Sequence, residues 1–198
     1  METTNKIEWI FFDLDGTLAD SINKLYSVYF KFLKDYGIKG NLKEFNEFNG
    51  PNVDEIVLKL KKKYKLKNTK KLLKNYNKKI KIEYINIKPV KGSENLLKFL
   101  KKQDYKLALV TSLNKNIAYG FLQRNDWLKY FSKIVYGNEV VNSKPNPDIY
   151  KLCLQRTKVK KNNVLVFEDS ANGYESAARA GLKCIIVKNL KNIKKFNL

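Results

Sequence analysis

Ile10-Phe11-Phe12-Asp13-Leu14-Asp15-Gly16-Thr17-Leu18 is the stretch from which the fold is read. With Ile7 and Trp9 just upstream, its apolar start reads as a short strand buried on both faces, as in a parallel sheet. The strand stops at two carboxylates. Asp13 and Asp15 are two residues apart, so extended geometry carried onward points both to one side. Gly16 then lets the chain turn with little steric constraint. Two like charges at the end of a buried strand are tolerable beside a cation, or with a proton on one of them.

Downstream the pattern turns helical. Residues 21–36 place Ile22, Leu25, Val28, Tyr29, Phe32 and Leu33 at helical spacing, with Asp20 or Ser21 as cap and Gly37 as stop. Residues 42–48, 53–64 (capped by Asn52) and the lysine-rich Thr69–Tyr84 read as further helices. Residues 19–86 therefore form a small all-helical unit. Pro89 and Gly92 punctuate the return. Then helix and strand alternate: a helix over Ser93–Lys102 capped by Ser93, a strand at Lys106–Thr111, a helix over 115–123 and a strand at Lys133–Tyr136. A helix over 147–156, a strand over 163–168, a helix over 172–180 and a strand over 183–187 follow, with a basic, peripheral tail at 190–198. Such alternation predicts a parallel sheet with helices on both faces, and ligands bind outside the carboxyl ends of its strands.

Three of those ends carry polar groups. Beyond Asp13 and Asp15 there is Thr111-Ser112, whose hydroxyl and backbone N–H groups precede a helix and could hold phosphate oxygens. Glu168-Asp169 is a second acidic pair. Between them Lys144 sits at a Pro-rich turn that opens a helix, with Pro147 near its first position. Singly, each has a plain structural reading: a helix cap, one lysine among many, the start of a helix. Together, four acids at one sheet edge call for a cation, and hard oxygen ligands suit Mg2+.

Composition narrows the class. The chain has 198 residues, enough for one α/β domain with a modest insertion. No apolar run approaches a membrane span and no signal-peptide pattern precedes the first strand, so a cytoplasmic protein is expected. Cys153 and Cys184 form no metal or redox motif. The absence of histidine excludes Ser-His and Cys-His nucleophile pairs and His-based zinc sites. The net charge of +21 comes almost wholly from lysine, with the accompanying Asn, Ile and Tyr expected of an AT-rich genome. A solvated helix face is the simpler reading of the lysine run, and nucleic acid is an unlikely partner.

The chain resembles the haloacid dehalogenase-like (HAD) hydrolase superfamily. Asp13-Leu14-Asp15-Gly16-Thr17 matches its first motif, Thr111 the second, Lys144 in Lys-Pro-Asn-Pro-Asp-Ile-Tyr the third, and Glu168-Asp169-Ser170 with Gly173 the fourth. All four occur in order over almost the whole chain. The resemblance implies a Rossmann-like core from residues 1–18 and 87–198, and a helical cap domain from 19–86 like that of glycolate-phosphate-type phosphatases and β-phosphoglucomutases. It implies Asp13 as nucleophile, Asp15 as acid and base, and Lys144 as a positive charge at the transferring group. Thr111, Ser112 and Asn114 would bind phosphate, and Asp13, the Asp15 carbonyl, Glu168 and Asp169 would hold Mg2+. Asp15 favours phosphate chemistry over dehalogenation. The absence of a cap histidine, and of Lys or Arg across residues 48–53, disfavours a mutase. The expectation is a phosphatase of a sugar, polyol, glycolate or amino-alcohol phosphate, as monomer or dimer. The substrate would be read around Tyr26, residues 48–52, Glu55 and the loops after Ser112. The alternatives are a phosphosugar mutase, or a basic nucleic-acid or membrane-surface binder with a vestigial site.

Overall fold

In the computed structural model, which describes residues 6–187, five parallel strands form one sheet in the order β3-β2-β1-β4-β5. Strand β1 (Trp9–Phe12) lies at the centre and is buried at every position. Its side chains alternate. Ile10 and Phe12 join the larger apolar core, while Trp9 and Phe11 join a second core on the opposite face.

Between β1 and the next strand run five helices: α1 (Ile22–Lys34), α2 (Leu42–Glu47), α3 (Val53–Lys63), α4 (Thr69–Tyr84) and α5 (Ser93–Lys102). The first four form the helical insertion. The chain leaves and re-enters the core side by side: Asp20 N–H donates to the Lys88 carbonyl and Val90 N–H to the Leu18 carbonyl. Helix α4 buries Leu72, Tyr76, Ile80 and Tyr84. A step of four residues overshoots a helical turn by roughly 40°, so this stripe winds from the insertion's interior towards the sheet. Inside the insertion the buried Glu44 carboxylate accepts from Tyr29 (2.7 Å) and Tyr64 (2.9 Å) and pairs with Lys63.

The remaining elements alternate as expected: β2 (Lys106–Thr111), α6 (Lys115–Arg124), β3 (Lys133–Tyr136), α7 (Asp148–Thr157), β4 (Val164–Glu168), α8 (Ala171–Arg179) and β5 (Lys183–Ile186), with three short 3-10 turns between them. β1 pairs with both β2 and β4, setting Phe12 beside Leu109 and Phe167. The Phe12 and Phe167 rings stack at 5.3 Å. Burying one such ring is worth roughly 1.5–3 kcal/mol, which anchors the two acid-bearing strand ends side by side.

Two expected caps differ. Ser21 occupies the N-cap of α1 but its hydroxyl donates to the Ala19 carbonyl, and Gly92 takes the N-cap of α5 while Ser93 donates to the Leu18 carbonyl. Both serines are spent on the crossing between insertion and core. Asn52 caps α3 as expected, accepting from Glu55 N–H. Gly37 ends the turn after α1 at a φ of 70°. No helix among the described residues is long and apolar enough to cross a membrane. The expected tail at 190–198 lies outside the described residues.

Candidate active site

The strand ends bring the predicted groups together from across the sequence. Asp13 continues the β1–β4 ladder, its N–H donating to the Phe167 carbonyl, and its side chain is almost fully buried. Lys144, on the loop before α7, is 1 % exposed and donates to Asp13 Oδ1 at 2.7 Å, Glu168 Oε1 at 2.6 Å and the Val110 carbonyl at 3.2 Å. A buried lysine so bounded stays charged, because Asp13 and Glu168 outweigh the desolvation that opposes it. Tyr150 donates to the same Glu168 oxygen at 2.5 Å.

Asp13, Glu168 and Asp169 each offer a carboxylate oxygen within 4.8 Å of the others. Two glycines permit the crowding. Gly16 has a φ of 77°, and a Cβ there would fall 2.1 Å from Asp169 Oδ2. A Cβ on Gly173 would fall 2.0 Å from Glu168 Oε2, an oxygen sealed from solvent with no hydrogen-bond partner among the described residues. Burial and then the charge of Glu168 push the Asp13 carboxyl well above the usual range, against the pull of Lys144. The same two causes push Asp169 up to about 7. One lysine among three carboxylates leaves uncompensated negative charge, and an all-oxygen donor set of this kind fits a hard divalent cation such as Mg2+.

Asp15 stands apart. Its carboxylate accepts from the Tyr84 hydroxyl at 2.6 Å and lies outside the three-acid group, so its expected metal contact is left to the backbone carbonyl. Burial raises its pKa, opposed by the nearby Ser21 and Tyr84 hydroxyls, of which Tyr84 donates to it.

At the end of β2, Thr111 is fully buried and its hydroxyl accepts from Leu113 N–H at 3.2 Å. The Ser112 hydroxyl donates to the Gly50 carbonyl of the insertion. The Asn114 side chain accepts from Ile117 N–H as the cap of α6 and donates to Asn77 of α4 at 3.1 Å. The side chains of this segment serve as caps and tethers, while the Ser112 and Asn114 N–H groups have no acceptor among the described residues.

The insertion closes over these groups. The Asn49 amide reaches Asp169 at 3.5 Å, Asn172 donates to the Asn49 carbonyl at 2.6 Å, and Ser143 N–H donates to Glu55 at 2.8 Å. A cavity of about 60 Å³ remains between insertion and sheet, bordered by Asp13, Asp15, Ser112, Asp169 and the turn Phe48-Asn49-Gly50-Pro51. Of the expected substrate-reading residues, Tyr26 and Glu55 do not line this cavity. Tyr26 packs against Tyr29, Phe30 and Phe45, and Glu55 is engaged by the core backbone. The wall supplied by the insertion is mostly aliphatic and aromatic, because the same apolar helix faces that hold the insertion together extend to the cavity.

Sequence reading missed Tyr84 and Tyr150, while Asn49 falls within the expected residues 48–52 and turns to Asp169. Tyr84 could have been suspected as the last member of the four-residue stripe on α4, and Tyr150 as the end of the Lys-Pro-Asn-Pro-Asp-Ile-Tyr run.

The profile of the family described as haloacid dehalogenase-like hydrolase matches residues 10–187. The phosphorylated carbohydrates phosphatase of Thermotoga maritima is 34 % identical over 185 residues, covering 90 % of this chain and 84 % of that one. The pyrophosphatase PpaX of Halalkalibacterium halodurans is 26 % identical over 184 residues, covering 92 % and 84 %. Among solved structures, β-phosphoglucomutase from Clostridium difficile superposes with a TM-score of 0.82 at 26 % identity, covering 97 % of this chain and 89 % of that one.

Proposed function

The chain belongs to the haloacid dehalogenase-like hydrolase family, and from that membership and the grouping of its buried acids we propose a Mg2+-dependent phosphatase of a small phosphorylated metabolite, working through an aspartyl-phosphate on Asp13. The observation that carries this reading is the division of labour between two neighbouring aspartates. Asp13 sits with Lys144, Glu168 and Asp169, while Asp15 is held apart on Tyr84.

In this reading an Asp13 oxygen attacks phosphorus. As the ester P–O bond breaks, Asp15 delivers its proton to the leaving oxygen. The raised pKa of Asp15 suits a group that carries a proton in the ground state. Asp15 then takes a proton from water, and the water oxygen attacks the phosphoryl group and returns Asp13. Lys144 neutralises the site where a carboxylate and a dianionic phosphate meet. Ser112 and Asn114 N–H groups bind phosphoryl oxygens, with Thr111 shaping the turn that presents them. Mg2+, held by Asp13, Asp169, the Asp15 carbonyl and Glu168 directly or through water, would supply electrostatic stabilisation of the transferring group. The helical insertion acts as the cap that sheds water and reads the leaving group.

Asp13→Asn tests this. It should abolish phosphate release from p-nitrophenyl phosphate and from a panel of metabolite monoesters, and EDTA should silence the unaltered protein. Wild-type rates in the variant would remove Asp13 as nucleophile.

A further inference from the structure

The walls of the cavity carry acids but no base. Asp13, Asp15 and Asp169 are its charged residues, and no lysine or arginine among the described residues borders it. Lys144, behind Asp13, is committed to three acceptors. From the insertion, Leu25, Phe45, Phe48, Val53, Ile56 and Ile80 close it with hydrocarbon. The polar side chains that the insertion adds are Asn49, turned to Asp169, and Tyr76.

We propose, building on the phosphatase reading above, that the site takes monoesters of small uncharged alcohols, short polyol phosphates being the fitting class, and that the Tyr76 hydroxyl is the group that recognises the leaving alcohol. Tyr76 is 4 % exposed and its hydroxyl makes no hydrogen bond among the described residues. It is also not sealed off: the described side-chain atoms that are both enclosed and unpartnered are Thr17 Oγ1 and Glu168 Oε2. A phenol at that depth ordinarily has a partner. One that lines a reaction cavity without one is a vacant contact for a ligand hydroxyl, able both to donate and to accept. Burial raises its pKa, so it meets the ligand neutral.

Charge and size then limit the alcohol. A second phosphate or a carboxylate on the leaving group would be stripped of water against the insertion's hydrocarbon, where no lysine or arginine among the described residues lines the cavity to meet it. The cavity, at about 60 Å³, holds on the order of five water-sized groups at roughly 10–15 Å³ each. That is little more than a phosphoryl group fills, so the alcohol must be small and enters with the insertion shifted outward. Pyrophosphate, phosphoglycolate and sugar bisphosphates are therefore the wrong shape of charge for this wall.

The test compares kcat/KM of the full chain with Mg2+ on glycerol 3-phosphate, propyl phosphate, phosphoglycolate and pyrophosphate, with p-nitrophenyl phosphate as a reporter of phosphatase chemistry. The neutral esters should exceed the two anionic ones by at least about 100-fold, the penalty of an unpaired buried charge. Tyr76→Phe should lower the ratio of glycerol 3-phosphate to propyl phosphate about fivefold, the worth of one hydrogen bond, whereas loss of packing alone would lower both esters together. Equal or better turnover of the anionic esters overturns the proposal, as does an unchanged ratio in Tyr76→Phe. If that variant fails to fold, the wild-type ranking decides by itself. Failure to hydrolyse even p-nitrophenyl phosphate refutes the phosphatase reading and this proposal with it. Turnover of that reporter with the wrong ranking refutes the proposal alone.

Discussion

Replacing Lys144 by methionine keeps most of the side-chain volume and removes one buried charge. The lysine nitrogen lies 2.7 Å from Asp13 and 2.6 Å from Glu168. At an effective dielectric of about 20, each contact is worth about 6 kcal/mol of Coulomb attraction, about 12 kcal/mol gross. Desolvation of the lysine, which the variant no longer suffers, offsets much of that. Removing one partner of a buried ion pair typically costs about 3–5 kcal/mol, because the remaining charge is left unpaired. For a chain of this size that corresponds to a melting point lower by about 6–20 °C. The cost should depend on pH in one direction. Without Lys144, Asp13 moves still further above its unfolded value, so the folded protein binds protons that the unfolded chain does not, and stability drops as pH rises. The gap between variant and wild type is therefore small near pH 5 and widest near pH 7.5 without metal, and Mg2+ should narrow it by binding the folded state. Urea unfolding at both pH values, with EDTA and with Mg2+, measures all four quantities. A variant within about 1 kcal/mol of wild type at neutral pH in EDTA would refute the electrostatic account of this cluster. Turnover should also fall by on the order of 10²–10³-fold, the usual loss for a charge aimed at a developing anion.

The metal-free wild type should itself lose stability between about pH 4 and pH 7, by up to about 1.4 kcal/mol per unit, because Asp169 is pushed up to about 7; Mg2+ should flatten that slope in the same unfolding series. Asp15→Asn should slow phosphate release by about 10²–10⁴-fold, more for alkyl esters than for p-nitrophenyl phosphate, whose leaving group needs no proton; a uniform loss would remove Asp15 as proton donor. Tyr84→Phe deletes the 2.6 Å bond to Asp15 and should lower kcat about tenfold with KM little changed; an effect on KM alone would show that Tyr84 serves binding. Gly16→Ala places a Cβ 2.1 Å from Asp169 Oδ2 at a φ of 77°, so it should cost about 1–3 kcal/mol in denaturant unfolding and weaken Mg2+ binding by calorimetry.

Much of the framework is local and therefore legible in the chain. Strand β1 is written as a continuous apolar run, the helices as periodic stripes, and the insertion as a span with no strand pattern. Asp13, Asp15 and Glu168-Asp169 could be nominated because each ends a recognisable strand, and their joint meaning followed from the parallel sheet. The serine caps were misjudged because a serine hydroxyl can serve its own helix or a neighbouring segment. At Ser21 and Ser93 the crossing between insertion and core took it.

The sequence by itself determined which strands exist, that they run parallel, that carboxylates and a threonine stand at their carboxyl ends, and that a lysine sits on the turn opening a helix between them. Tertiary structure alone decided how those groups are paired. Lys144 meets Asp13 across 131 positions of sequence, and Tyr84 meets Asp15 across 69. No local pattern encodes such distances, since they depend on how β1, β4 and the insertion pack. The character of the cavity was likewise settled by packing. The cavity borders the apolar face of the insertion's helices, and no lysine among the described residues lines it. The long, solvated side chains go outward to water, and the face left towards Asp13 and Asp15 is hydrocarbon with a single unmet phenol.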